Sequence, residues 1–237
     1  MKIKFTAEDP HMWEVALKPI PASQTIPEWW KSMTPYNQTP ENPDGTKLIV
    51  EKLDSNVTFK KCTPMLDALT SGYILPLWSD VQVRQVSGEA RITWRTKRNV
   101  FEIHGMSSRH INPPEGYTRQ VVKYLNPWTP RTPKGYSVMV TQPFGHIDNP
   151  FYAIPAIIDS DSSSLEVLPP MWIKEGFEGI IEKGTPMVQI TPFKRDSWTS
   201  EFDFYKQGEL DAIRDKNFNS TIVSHYIKNH WSKKTYK

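Results

Sequence analysis

Apolar and polar residues alternate most regularly in two short runs between residues 81 and 95. Residues 87–89 separate the two runs with a Ser-Gly-Glu sequence that is typical of a turn. In the second run, Trp94 shares one face with the apolar residues before it, while the arginines lie on the other face. The pattern predicts an antiparallel meander over residues 77–104, with its apolar face inward and its basic face outward.

Weaker periodic patterns predict the remaining elements. Further strands are expected at residues 47–53, 136–141, 153–159, 177–181 and 187–191. Short helices are expected at residues 27–31 and 63–69, where a proline stands in the first turn, and two more helices in the last 45 residues, from residue 208 and from residue 219. The proline-rich stretches at 105–120 and 126–135 are expected to be long loops.

The proline content limits the fold class. Proline accounts for 21 of the 237 residues, about 9% against the usual ~5%, and it is absent from residues 77–112 and 193–237. Interior proline breaks helices, so an all-helical protein is excluded. We predict a mainly β protein, an antiparallel β-sandwich or jelly-roll-like domain with short peripheral helices. It would occupy residues 1–198, and a C-terminal helical segment, residues 199–237, would pack on it.

The cysteine content and the hydropathy exclude several classes of protein. Cys62 is the single cysteine, so an intrachain disulfide and a cysteine-rich zinc site are excluded, and a buried thiol is expected. No apolar run approaches the ~20 residues of a membrane helix, and residues 1–13 contain no signal-peptide core. We therefore expect a protein that is neither secreted nor membrane-bound.

The net charge of +3 conceals a separation of charge along the chain. Residues 84–134 carry ten basic and three acidic side chains, whereas residues 135–192 carry two basic and seven acidic ones. The basic face of the predicted meander is formed by Arg84, Arg91, Arg95, Lys97 and Arg98. Such a face is suited to a phosphate backbone or to a protein partner, although Trp94 points away from it and cannot stack bases there. Nucleic-acid binding is kept as an alternative.

His146 and Asp148 form the most specific candidate for metal chemistry. A His-x-Asp pair with a distant third histidine is the ligand set of non-haem Fe(II) oxygenases, and His225 or His230 would supply that third ligand. A 2-oxoglutarate enzyme would also need a nearby cation, such as the lysines at 233–234. However, the pair lies among prolines and a glycine, which favours an ordinary loop histidine. A cupin-like Fe(II)/2-oxoglutarate oxygenase is the alternative function.

Other candidate sites have simpler structural explanations. Asp159 and Asp161 stand in a serine-rich run that is suited to a hard cation, but Asp and Ser also form ordinary turns. Adjacent helical residues point ~100° apart, so one of Trp29 and Trp30 is expected to anchor a helix and the other to face a neighbouring element. Common signatures of nucleotide binding, hydrolases and metalloproteases are absent. We assign no catalytic, cofactor-binding or metal-binding residue and expect no cofactor.

Three stretches of the chain carry a family resemblance. They are IPEWWK at residues 26–31, KCTPMLD and SGYILPLWSD within residues 61–80, and KEGFEGIIEKGTPMVQITPFKR at residues 174–195. In this order they resemble an uncharacterised protein family that is common in tailed-phage genomes, myoviruses in particular.

Within the third stretch, Gln189 interrupts an apolar run, so it either faces away from its neighbours or is buried and hydrogen-bonded to the backbone.

The resemblance implies a phage-encoded protein and brings no active-site residues with it. Together with the missing signatures and the separated charges, it predicts a non-enzymatic virion-associated or accessory protein. Such a protein would act through protein–protein contacts, for example with other phage proteins, in the host cytoplasm or in the virion. The sequence leaves the partner and the oligomeric state open.

Overall fold

The computed structural model describes residues 1–36, 58–105, 111–162, 166–219 and 222–237. The chain forms two compact units. The first, which we name the sheet unit, comprises Met1–Thr25, Thr70–Asp196 and Tyr236–Lys237. The second, which we name the helical unit, comprises Ile26–Leu69 and Ser197–Thr235. The strand predicted at residues 47–53 lies outside the described residues.

All strands of the described residues belong to the sheet unit, and all of their pairings are antiparallel. In chain order they are β1 (Lys4–Ala7), β2 (Ile20–Pro21), β3 (Tyr73–Pro76), β4 (Val81–Val86), β5 (Glu89–Trp94), β6 (Phe101–Ile103), β7 (Tyr117–Tyr124), β8 (Trp128–Arg131), β9 (Tyr136–Thr141), β10 (Phe151–Ala153), β11 (Ala156–Ile158), β12 (Pro170–Lys174), β13 (Gly179–Ile181) and β14 (Pro186–Lys194). The prediction of a mainly β, antiparallel protein is confirmed.

The strands form four sheets that share one apolar core. The largest sheet has the order β11-β9-β14-β3-β2, the next has the order β10-β12-β7-β6, a third has the order β13-β4-β5, and β1 pairs with β8. Buried side chains from all four sheets meet in a single cluster. Tyr124 of β7 crosses this core, and its hydroxyl donates a hydrogen bond of 2.7 Å to the carbonyl of Pro76 in β3. The result is a sandwich-like arrangement.

The β4–β5 hairpin follows its sequence pattern closely. Val83 stands opposite Ile92 and Arg84 opposite Arg91, so the apolar and basic faces alternate as predicted. Ser87 and the glycine after it both have positive φ, 53° and 80°, which is the geometry of a type I′ turn.

The predicted meander does not continue beyond β5. The next strand, β6, pairs with β7 in a different sheet. Val100 and Phe101 are buried in the common core, and their burial takes the chain away from the hairpin. The meander prediction is therefore correct for two strands and wrong for the third.

Most other strand predictions are confirmed with shifted ends. The strand at 136–141 is β9, and the predictions at 187–191 and 177–181 correspond to β14 and β13. Pro155 divides the strand predicted at 153–159 into β10 and β11, because proline cannot donate to a ladder. The loop predictions at 105–120 and 126–135 are wrong in part, since β7 begins at Tyr117 and β8 contains Pro130.

Five α-helices are found in the described residues: α1 (Pro10–Val15), α2 (Glu28–Ser32), α3 (Thr63–Thr70), α4 (Glu209–Asn219) and α5 (Ile222–Asn229). Asp9 caps α1, because its carboxylate accepts a 2.7 Å hydrogen bond from the Met12 amide. In the helical unit, the carboxylate of Asp67 accepts from the Trp231 indole at 3.0 Å and pairs with Lys234 at 2.6 Å. None of these helices is long and apolar enough to cross a membrane.

Two predictions about the helical unit need correction. Cys62 is half-buried rather than buried. The C-terminal segment is less helical than expected, because residues 199–206 form no helix, although α4 and α5 begin close to the predicted starts at 208 and 219. Trp30 is buried while Trp29 meets it edge-to-face at 5.8 Å, so one tryptophan anchors the helix as predicted.

A close backbone approach fixes the start of β3 against β14. Gly72 has a φ of +68°, and a Cβ atom there would lie 2.0 Å from the carbonyl oxygen of Ile190. Beside it, the buried Gln189 donates to the Ser71 carbonyl at 2.6 Å and accepts from the Phe144 amide at 2.9 Å. The buried alternative predicted for Gln189 is confirmed.

We predict that Gly72→Ala destabilises the chain by roughly 3 kcal/mol, because it adds a steric overlap to the cost of a positive φ. Gly88→Ala is the matched control. Its φ is +80°, but nothing lies within 4 Å of the added Cβ, so it should cost only roughly 1–2 kcal/mol. Urea unfolding of both variants measures the difference, and equal losses would contradict the steric explanation.

Candidate functional site

An apolar groove of about 390 Å³ opens between the β4–β5 hairpin and the paired strands β6 and β7. We call it the groove. Its lining comprises Val86, Glu89, Ala90, Arg91, Ile92, Trp94, Phe101, Glu102, Ile103, Gln120 and Val122. The volume falls in the lower part of the ~300–1,000 Å³ that is usual for ligand pockets.

The groove is a consequence of the period-two pattern of its strands. Ala90, Phe101 and Val122 belong to the core and are buried. Ile92 and Trp94 continue the apolar face of β5 but are only partly buried, because the core ends beneath them. Ile103 continues the face of Phe101 and is 63% exposed. A concave apolar surface therefore remains open to solvent, which is the usual property of an interaction site.

Two strand edges border the groove. Within the described residues, β5 is the last strand of its sheet and β6 is the last strand of another. The outer edge of a strand carries backbone N–H and C=O groups that can pair with an added strand. The groove thus combines apolar side chains with backbone hydrogen-bonding groups.

The charges at the rim of the groove are unequally compensated. Glu89 accepts a 2.9 Å hydrogen bond from the Gln120 amide, and Glu102 forms an ion pair with Lys123. Arg91 stands directly opposite Arg84 on the exposed face of the hairpin. In the described part of the chain, neither arginine has an ion-pair partner. Like charges directly opposite each other repel, so this face of the hairpin favours an anionic neighbour beside Arg91.

The predicted basic face is only partly available for binding. Arg98 forms ion pairs with Glu8 and, at 2.6 Å, with Asp9. Lys97 and Arg98 border a second cleft of about 640 Å³, in which the Lys183 ammonium donates to the Val15 carbonyl at 3.2 Å. Trp94 lies in the groove, on the face opposite the arginines, as predicted. The cations that remain for a partner are Arg84, Arg91, Arg95 and Lys97.

Within the described residues, no metal site is assembled around His146. This half-buried residue lies in a turn after β9; burial lowers its pKa, while a hydrogen bond with the Thr25 backbone raises it. The side chain of His225 lies outside the described residues, and His230 belongs to the helical unit. Among the described residues, no group of three His, Cys, Asp or Glu side chains could hold a metal ion, so Asp148 and His146 are given no third ligand there.

Asp159 and Asp161, in the serine-rich turn after β11, form ion pairs with Arg195. Arg195 makes two hydrogen bonds to Asp161, at 2.9 and 2.5 Å, and contacts Asp159 at 3.1 Å. Asp161 also accepts from the Gly135 amide at 2.7 Å, and Asp159 accepts from the Ser137 hydroxyl at 2.6 Å. The hydrogen bond from Arg195 is the main reason why the pKa of Asp161 is lowered to about 2. These carboxylates therefore tie β14 to the turn after β11.

Residues 198–205 of the helical unit form an exposed stretch that sequence reasoning missed; we call it the aromatic segment. It has no regular secondary structure, and the exposed fractions of Trp198, Phe202 and Phe204 are 89%, 92% and 84%. The signal was present in the alternation of aromatic with acidic residues, but the whole region had been predicted as part of a helical tail.

No protein-family model matches the chain. No curated protein is significantly similar to it. The resemblance to the phage family therefore stays a prediction.

We predict that Asp161→Asn lowers the thermal midpoint at pH 7 and that this difference disappears in acid. Because the pKa of Asp161 is depressed from 3.8 to about 2, its stabilisation is complete above pH 3.8 and is lost as the pH falls towards 2. Thermal unfolding between pH 7 and pH 2 measures this. Asp196→Asn is the control, since its exposed pair with Lys194 is 3.5 Å long, and it should have little effect. A difference that is independent of pH would contradict the assignment.

Proposed function

We propose that the chain is a phage-encoded, non-enzymatic protein that acts through protein–protein contacts, and that the groove is its docking site. It would work in the host cytoplasm or as a component of the virion. The observation that carries this proposal is the groove itself, where exposed apolar side chains lie between two strand edges. The family resemblance supports the phage origin.

The groove supports binding of an extended polypeptide. A segment added beside β5 or β6 would satisfy outward backbone groups of that strand, and its alternate side chains would point into the groove. Burial of the exposed parts of Val86, Ile103 and Trp94 would supply the apolar contact. Arg91 and the opposed Arg84 would favour acidic residues on the partner.

Nucleic acid is a poorer fit to the same groove. A single strand binds through a path of cations together with aromatic rings on which its bases stack. Here Trp94 lies on the face opposite Arg84 and Arg91, and Arg98 is already paired with two carboxylates. The described residues of the groove lining include a single cation, Arg91, beside two glutamates, and the apolar side chains there offer phosphate groups no partner.

We predict that Ile103→Asp weakens partner binding at least tenfold, because it places a carboxylate in the apolar lining of the groove. Ile157→Asp is a matched control. Ile157 lies in β11, outside the groove, and its exposed fraction of 66% is close to the 63% of Ile103. Both variants should therefore fold with little loss of stability.

The binding is measured by expressing the chain during phage infection with a photo-cross-linking amino acid at position 103 or 157. Position 103 should give a discrete protein adduct, and position 157 should not. Mass spectrometry of purified particles then separates the virion-associated role, in which the adduct is found in particles, from the accessory role. Equal adducts at both positions, or none at either, would contradict the proposal.

A further inference from the structure

We infer that the occupant of the groove is the aromatic segment, residues 198–205, of a second copy of this chain. This inference rests on the proposed function, since it takes the groove as a protein-docking site and identifies the partner. The exposed apolar residues of the two surfaces, together with their opposite charges, carry the argument.

The aromatic segment has the pattern of a strand that is buried on one face. In an extended conformation, Trp198, Phe202 and Phe204 share one face, because they are separated by even numbers of residues. Glu201 and Asp203 lie on the other face. Such alternation is typical of a strand packed against an apolar surface, yet these aromatic rings are almost fully exposed.

The groove provides an apolar surface against which the exposed aromatic rings of the segment can pack. It supplies apolar walls from Ile92, Trp94 and Ile103 and the adjacent strand edges. Two phenyl rings that alternate along an extended backbone would point into this lining from an added strand. Aromatic contacts with Trp94 would add to the buried area.

Acidic residues of the segment would lie beside two arginines of the hairpin. Arg91 lines the groove and stands opposite Arg84, and neither has an ion-pair partner among the described residues. In a strand added beside β5, Glu201 and Asp203 would share the face of Arg91, because Phe202 and Phe204 would share the face of Ile92 and Trp94. An acidic strand therefore relieves the repulsion between the arginines, whereas a basic strand would increase it.

The size of the contact predicts weak association. Two buried phenylalanine side chains account for about 300–500 Å² on the segment. This is well below the ~800 Å² per partner of a standard stable interface. Self-association should therefore be concentration-dependent, with a dissociation constant in the roughly micromolar range or weaker. It should also weaken as salt screens the charges.

The aromatic segment of one copy binds the groove of another copy. These are different surfaces, so the contact is heterologous. Each copy can offer a segment to one neighbour and receive a segment from another, which leads to rings or open chains. A variant with a blocked groove still donates a segment, and a variant with an altered segment still receives one. This asymmetry allows a complementation test.

The test uses sedimentation velocity of the full chain from about 1 to about 500 μM, the range that brackets weak association. Wild type should associate with rising concentration. The groove variant Ile103→Asp and the double segment variant Phe202→Ser/Phe204→Ser should each associate at least tenfold more weakly. All three positions are exposed, so unchanged circular dichroism is expected. Ile157→Asp should associate like the wild type.

A mixture of Ile103→Asp with the double segment variant tests whether the segment of one copy binds the groove of another. An equimolar mixture should recover binding but stop at a one-to-one heterodimer, because only one intact groove and one intact segment remain per pair. A synthetic peptide of residues 197–206 should bind the wild type and should bind Ile103→Asp at least tenfold more weakly.

Three results would overturn the inference: a wild type that is monomeric at every concentration, variants that associate like the wild type, or a mixture that recovers nothing. If the chain is monomeric and position 103 still cross-links to another protein, the groove remains a docking site and only its assigned occupant is wrong.

Discussion

The burial of Val100 and Phe101 is the constraint on which the candidate site depends. Both side chains lie in the common core, and the Leu125 amide holds the Val100 carbonyl at 2.9 Å. The chain must therefore leave the hairpin after β5 and enter another sheet at β6. Because the chain changes sheets here, β5 and β6 are not paired with each other. Each is an edge strand of its own sheet, and the groove lies between them.

Several acidic side chains are paired within the fold, so they do not neutralise the arginines on the exposed face of the hairpin. Glu8 and Asp9 are occupied by Arg98, and Asp159 and Asp161 are occupied by Arg195. Glu89 and Glu102, which line the groove, likewise have protein partners. The charge separation seen along the chain is thus partly cancelled within the fold. Arg91 lines the groove, and Arg84 stands opposite it on the exposed face of the hairpin.

Local patterns predicted the fold well, and contacts distant in sequence account for the errors. The alternation around residues 81–95 and the Ser-Gly turn specify the hairpin without help from other elements, and β9 and β14 follow from the same period. The pairing of β6 with β7 depends instead on core burial, which a local pattern does not contain. Pro130 suggested a loop, yet β8 pairs with β1 in a two-stranded sheet, where a missing donor is tolerated at an edge.

The candidate site was less predictable for the same reason. The sequence indicated the cations and placed Trp94 on the opposite face, but the groove requires strands from two sheets. His146 and Asp148 are close in sequence, which made them a candidate for a metal site. Such a site also requires ligands that the fold brings together from distant parts of the chain. The prediction of a helical segment over residues 199–237 is wrong for the aromatic segment, whose period is two rather than 3.6.

Arg91 also explains how the open edge of β5 can be tolerated. A charged side chain on an edge strand discourages indiscriminate pairing with other strands. The repulsion between Arg91 and Arg84 discriminates among occupants, since a neutral strand leaves it in place and an acidic strand removes it. Arg84 and Arg91 therefore reduce the stability of the isolated hairpin while making the groove selective for an acidic and apolar segment, and this chain carries such a segment at residues 198–205.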